Sequence, residues 1–350
     1  MSAQDDFKQR RDDNPQQIYS DEEIKKWKEK DMKEGQPINH IIVDDKGTEK
    51  RVPTLAETII SKPPHQFGLT TFSEYVGKMK ELSEYRLEET LWQDEVRIDI
   101  QTPYKWFGVQ PFGDSHIGSH GVDYDKLTEI LAGWLQHDNL RTILLGDLGD
   151  FFVPKGRHSE GMMGDVVTPQ TQMVALKKFL TEYQDEILAN TSDPSHADWV
   201  YQTSGIDIYE YASWDLRVPL INQGGSVLLN VNGVEYDIMP FHKIAKFKSS
   251  FNLTHAHKRA LELHRDANIV IAGHIHQGSF EKAYRSGHEV TLVQIGTLLT
   301  KEIGSQWAKK QGFLGNVRPY YPIILFNTEE KRTQVIDRLE DAEDLLRLKR

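Results

Sequence analysis

The chain has no cysteine. Disulfide staples, thiolate metal ligands and cysteine nucleophiles are therefore excluded, which fits a reducing compartment. No apolar run approaches the roughly 20 residues needed to span a bilayer. Residues 1–20, MSAQDDFKQRRDDNPQQIYS, lack the apolar centre of a secretory leader. The expectation is a cytoplasmic protein with no membrane partner. Positive charge is also short: 42 Lys and Arg face 53 Asp and Glu, a net charge of −11. That balance argues against binding DNA by charge alone, although bound cations would add local positive charge that this count omits. Internal repeats and low-complexity tracts are absent.

What is present is an ordinary globular balance, 38% hydrophobic and 27% charged over 350 residues, enough for one large domain or two smaller ones. Residues 1–100 read as a charged, helical amino-terminal extension. Ser20 with Glu23 resembles a capping box opening the helix IKKWKEKDMKE, which stops at Gly35. INHIIVDDKGTEKRVP reads as a short hairpin turning at Asp45-Lys46-Gly47. Phe72, Tyr75, Val76, Met79, Leu82 and Tyr85 recur at helical spacing. This extension carries no recognisable chemistry, and a protein partner could dock through it. The oligomeric state is not encoded in any motif.

Residues 101–335 alternate strands and helices, which argues a layered α/β domain. Strand patterns appear in VRIDIQ, WFGVQPFGDSH, RTILLGDLGDFF, WDLRVPLIN, SVLLNVNGVEYDIMPFH and ANIVIAGHIH. Helices are expected over 124–137, over 168–189 as one long amphipathic element, and over 252–265. Asn232-Gly233 is a strong hairpin signal, and YYPIILFNTEEKRTQVID reads as another hairpin. Hairpins mixed with crossover units point to a mixed sheet or two packed sheets. Residues 336–350 then close the chain with an amphipathic helix.

Three segments place metal-type ligands just past strand ends: Gly113-Asp114-Ser115-His116, Gly146-Asp147-Leu148-Gly149-Asp150 and Gly273-His274-Ile275-His276. Loops past the carboxyl ends of strands are where α/β sheets build sites. Alternate residues of an extended segment face one way, so Asp114 with His116, and His274 with His276, could each face one ion. Mixed Asp/His ligation suits manganese, iron or zinc better than magnesium or calcium.

D-x-H, then GD-x-x-D, then a His-containing third motif, an isolated His and GH-x-H: in this order the segments resemble the calcineurin-like metallophosphoesterases from about Trp106 to about Leu325. The chain is especially similar to phage-encoded members related to DNA-repair nucleases. Those follow a GNHDDW-like segment with an SGID-type stretch, here Ser204-Gly205-Ile206-Asp207, and an alternating strand ending in Phe241-His242. The resemblance implies two packed mixed sheets flanked by helices and two divalent ions, most readily Mn2+, with Fe or Zn as alternatives. It implies one ion on Asp114, His116, Asp147 and His276, and a second shared through Asp147 with His242 and His274. A hydroxide between two cations would then attack a phosphoester in line. His196 would act as general acid, oriented by Asp150, because a carboxylate partner fixes the tautomer such an acid needs. The implied substrate is a phosphodiester, DNA or a nucleotide; a phosphomonoester is not separable from these by sequence.

The third motif departs from the family. GNHDDW aligns with Pro194-Ser195-His196-Ala197-Asp198-Trp199. Ser195 stands where the family has an asparagine ligand, and a hydroxyl is the poorer donor. Pro194 replaces a glycine and stiffens the loop. The expectation is a sound first metal site and a weak second one; the alternative is an inactive member acting as a binding or accessory protein. Lys155, Arg157 and His158 could meet a substrate phosphate, and Trp199 and Tyr201 could stack on a base. Asn252 is a candidate supporting residue. His120 follows the first motif closely, but spacing alone does not make it a ligand; His255, His257 and His264 read as solvated or packing residues.

Overall fold

The structure is a computed structural model. It describes residues 91–153, 162, 164–244, 253–263, 266–300 and 319–350, with 41–43, 49–51, 73–74 and 76–81 from the amino-terminal part. The chain divides into two units, Met1–Thr90 and Leu91–Arg350. In the first, β1 (Ile41–Val43) pairs antiparallel with β2 (Glu49–Arg51), Ile41 opposite Arg51, which is the expected hairpin. Residues 73–74 and 76–81 are helical. The charged helix expected after Ser20 lies outside the described residues.

The second unit begins with β3 (Trp92–Ile100), so this strand packs with the residues that follow it. Next come β4 (Trp106–Phe112), α1 (Tyr124–Gln136), β5 (Leu140–Leu144) and α2 (Pro169–Glu182). Asp123 caps α1 by accepting from the Lys126 amide at 2.9 Å. Thr168 caps α2, with Pro169 at its first position. The single helix expected over 168–189 is shorter than that. It stops at Glu182, and Ile187–Thr191 form a strand, β6. Ile187 and Leu188 fall at helical spacing from Phe179, Leu180 and Tyr183, so periodicity alone runs the two elements together.

Two short helices absent from the sequence reading follow β6: α3 (His196–Ser204) and α4 (Ile208–Ser213). Then come β7 (Leu220–Val231), β8 (Val234–Phe241), α5 (His255–Leu263), β9 (Ile269–Ala272), β10 (Ser279–Arg285) and β11 (His288–Gln294). The strand expected in WDLRVPLIN starts only at Leu220, and the β10–β11 hairpin also escapes the sequence reading. β12 (Ile323–Asn327), β13 (Thr333–Ile336) and α6 (Leu339–Leu346) complete the chain. The turn between β7 and β8 has Asn232 at φ 52 and Gly233 at φ 93, the positive pair that a tight hairpin requires.

The strands form two mixed layers continuous through β7. The first runs β13, β12, β4, β5, β6 and the start of β7, with β4 through β7 parallel. The second runs from the end of β7 through β8, β9 and β11 to β10, with β3 along the other edge of β7. β7 turns the corner: Leu220 and Ile221 pair with β6, while Val227–Val231 pair with β8. Between them Gly224 sits at φ 72, a bend that lets one strand serve both layers. The layers also touch away from β7, with the hydroxyls of Thr291 on β11 and Thr333 on β13 2.9 Å apart. Helices flank the layers, as the resemblance implied.

A buried aromatic cluster underlies the first motif. Phe112 meets Trp134 edge-on at 5.3 Å and Tyr321 at 5.3 Å. Each such side chain stabilises the fold by about 1.5–3 kcal/mol through burial. The Tyr321 hydroxyl donates to the Gly113 carbonyl at 2.9 Å, so the core fixes the backbone immediately before Asp114. No helix among the described residues is long and apolar enough to cross a membrane.

Candidate metal centre

Every candidate loop leaves the carboxyl end of a strand at one end of the two layers. Asp114 and His116 follow β4, Asp147 and Asp150 follow β5, and Ser195 and His196 follow β6. His242 follows β8, and His274 and His276 follow β9. Backbone hydrogen bonds lock the first two loops together: Asp114 N to Gly146 O and His116 N to Asp147 O, both 3.0 Å. Asp114 joins the layers. Its Oδ2 accepts from the His274 amide at 2.6 Å and its Oδ1 faces His276 Nε2 at 3.3 Å.

The convergence does not come from strand alternation. Asp114, His116, Asp147, His274 and His276 all sit at positive φ (47, 48, 46, 72 and 61), where a side chain costs about 1–2 kcal/mol. Five strained non-glycine residues at one spot are an investment of conformational energy in side-chain direction. His274 and His276 consequently diverge to two positions instead of facing one. One donor atom each from Asp114, His116, Asp147 and His276 lies within 4.8 Å of the others, and so do donors from Asp147, His242 and His274. Asp147 belongs to both groups.

These donors fit cations. Asp114 Oδ1 is fully buried, and apart from the ion-pair contact with His276 nothing satisfies it. His116 Nε2 and His276 Nε2 lie 3.1 Å apart, a pairing of ring nitrogens that a shared proton or a cation relieves. The other ring nitrogen of each best-buried imidazole is anchored: His116 Nδ1 on Asp150 Oδ1 at 2.6 Å, His242 Nδ1 on the Leu145 carbonyl at 2.7 Å. That is how proteins orient metal-binding histidines. Glycines make room. A Cβ on Gly273 would lie 2.7 Å from Asp114 Oδ2, and one on Gly146 (φ 84) would lie 2.9 Å from the His242 ring.

Charge is concentrated here. Burial opposes it, but Asp150, with Asp147 and Asp114, lifts the His116 imidazole to about 9. Asp147 and Asp193 likewise lift His242 to about 10 against burial. Burial and the neighbouring His242 push His274 down to about 3. Burial would raise Asp147, but His196 and His242 hold it well below the usual carboxylate range. Burial and Asp150 push Asp165 up to about 8.

Ser195 lies beside Asp147, Asp193 and His242. Its hydroxyl lies 3.0 Å from Asp147 Oδ1, 2.9 Å from Asp193 Oδ1 and 2.8 Å from His242 Nε2. His196 is buried between Phe152 and Trp199, ring centroids 5.0 and 4.4 Å away. The expected partnership with Asp150 takes a different form. His196 Nδ1 bonds the Asp150 backbone carbonyl, while the Asp150 carboxylate pairs with His116. Trp199 packs on His196, and Tyr201 is exposed. His120 and His255 are solvated, and His257 is buried on the Val293 carbonyl at 2.9 Å. Lys155, Arg157, His158, Asn252 and His264 lie outside the described residues.

Asp193 is not among the residues singled out from the sequence. It lies just past β6, and reading β6 as helix hid that strand end. An acidic residue two positions before the Ser195-His196 pair was the available signal.

No protein-family description matches the chain, and no curated protein matches it. Among solved structures it is similar to Thermotoga maritima protein TM1076, at 15% identity and a TM-score of 0.30. It is similar to a single-mutant Vps29 from Entamoeba histolytica (12%, TM-score 0.33) and to that organism's wild-type Vps29 complexed with zinc (10%, 0.29). Each similarity covers 66% of this chain and 99% of the other.

Proposed function

We propose that this protein is a metal-dependent phosphoesterase of the calcineurin-like type, acting on phosphodiesters. The observation that carries the reading is Asp147, a buried carboxylate common to two groups of donors, one with Asp114, His116 and His276 and the other with His242 and His274. Two divalent ions held there, manganese being the best match to the donors, would supply positive charge for phosphate oxygens and acidify water. Asp114 and Asp147 present anionic oxygens, and His116 and His242 present Nε2 with the tautomer set from behind. His196 acts as the general acid. Its Nδ1 is engaged by a backbone carbonyl, so a proton held at Nε2, on the side facing Asp147, is the one available to a leaving oxygen.

The test is hydrolysis of bis(p-nitrophenyl) phosphate across a manganese series. Turnover is expected in the native chain, abolished in Asp147→Asn and lowered about 10²- to 10⁴-fold in kcat in His196→Ala. A chain that binds manganese at the site and turns nothing over would instead be an accessory protein, the reading that Ser195 in place of an amide ligand favours.

A further inference from the structure

We infer that Asp193 is a carboxylate ligand of the second ion, filling the place that the loss of the asparagine amide leaves open. The inference rests on the metal-dependent reading above and names the residue that completes its weaker half.

Asp193 is placed by local sequence. It lies two positions past the end of β6 and immediately before Pro194, and a residue preceding proline is held in extended backbone. Its carboxylate then turns into the site and is fixed there. Oδ2 accepts from the Asp147 amide at 3.0 Å, with the Ala197 amide at 3.4 Å and the Tyr209 hydroxyl at 3.5 Å. Oδ1 accepts from the Ser195 amide at 2.8 Å and faces His242 Nε2 at 3.7 Å. With one oxygen tethered to the Asp147 loop, the other cannot swing away from His242.

The spacing is that of a coordination shell. Around Asp193 Oδ1, Ser195 Oγ, His242 Nε2 and the Asp147 carboxylate, the separations are 2.8, 2.9, 3.0, 3.2 and 3.7 Å. Donors bound at about 2.1 Å in octahedral or tetrahedral geometry stand about 3 to 3.5 Å apart. Charge points the same way. The Asp147 and Asp193 side chains are almost completely excluded from solvent, at 2% and 0% exposure. A cation bound between them would balance two carboxylates buried side by side. The Ser195 hydroxyl, between both carboxylates and His242, serves as a neutral supplementary donor.

The test is a crystal structure of the full chain grown with manganese, with anomalous scattering to locate the ions, beside calorimetric manganese titration of native protein and Asp193→Asn. Two ions are expected, with Asp193 Oδ1 at about 2.1–2.4 Å from the one beside His242. In Asp193→Asn the second binding event weakens at least about tenfold while the first is unchanged. A second ion with Asp193 more than about 3 Å away, or only one ion, at Asp114, overturns the inference and leaves the first site standing. No ion at either position brings down the phosphoesterase reading as well. The crystallographic arm uses the unaltered chain, so it decides the matter even where Asp193→Asn does not fold.

Discussion

The Asp150 carboxylate is directed at His116, with Oδ1 2.6 Å from Nδ1, and stands 3.8 Å from the His196 ring nitrogen nearest it. Asp150 therefore supports a candidate ligand, and its backbone supports the candidate acid. Asp150→Asn should weaken binding of the first manganese ion about 10- to 100-fold. It should leave kcat at saturating manganese within about tenfold of native, because the carbonyl that holds His196 is retained. Manganese titrations followed by calorimetry and by turnover separate the two effects. A collapse of kcat with native metal affinity would show that the carboxylate serves His196 after all.

Gly146 cannot accept a side chain. Its φ of 84 is strained for any other residue, and an added Cβ would press on His242 and lie 3.0 Å from Asp193 Cβ. Gly146→Ala is expected to destabilise the fold by about 1–3 kcal/mol and to weaken binding at the His242 side more than at the His276 side. Thermal melts with and without manganese check both halves: the variant should melt lower and gain less from the metal.

Metal uptake should release protons. In the ion-free protein His116 and His242, lifted to about 9 and 10, both carry a proton at neutral pH, and each must lose it to ligate. About two protons should be released at pH 7, read as a dependence of calorimetric heat on buffer ionisation enthalpy, and affinity should fall steeply with falling pH. The sign for the ion-free fold is opposite. Raised histidines contribute stability that is complete below their unfolded value of about 6.5 and lost as pH rises through 9 to 10. Alkaline pH should therefore loosen the ion-free protein and favour the loaded one.

His257 predicts acid sensitivity away from the site. Fully buried on α5, it is pushed down to about 4 by burial. A depressed histidine contributes stability that is present above about 6.5 and is lost as pH falls through 4. The loss should reach about 2–3 kcal/mol by pH 4. Urea unfolding at pH 7 and at pH 4.5 should show a smaller pH difference in His257→Gln, whose amide can still donate to the Val293 carbonyl. An unchanged difference would assign the acid sensitivity elsewhere.

The sequence alone carried much of this. The hairpin at Asn232-Gly233 was legible because that dipeptide accepts positive φ, and α1 because its apolar residues Leu127, Ile130, Leu131 and Trp134 recur at helical spacing. The break between α2 and β6 was not, because Phe179, Leu180, Tyr183, Ile187 and Leu188 keep helical spacing across the turn at Tyr183. That misreading also concealed Asp193, whose role depends on its following a strand.

By itself, the sequence determined the chemistry on offer: no thiols, and Asp and His donors placed just past strand ends in D-x-H, GD-x-x-D and GH-x-H order. Tertiary structure alone decided how those donors are shared. His274 and His276 part company because each backbone turns through positive φ. Asp114 meets the His274 amide across 160 positions because β7 bends from one layer into the other. Asp150 settles on His116 because the β4 and β5 loops are hydrogen-bonded side by side. Spacing along the chain fixes which side chains a loop carries; the register of distant strands and the sign of φ fix where they point.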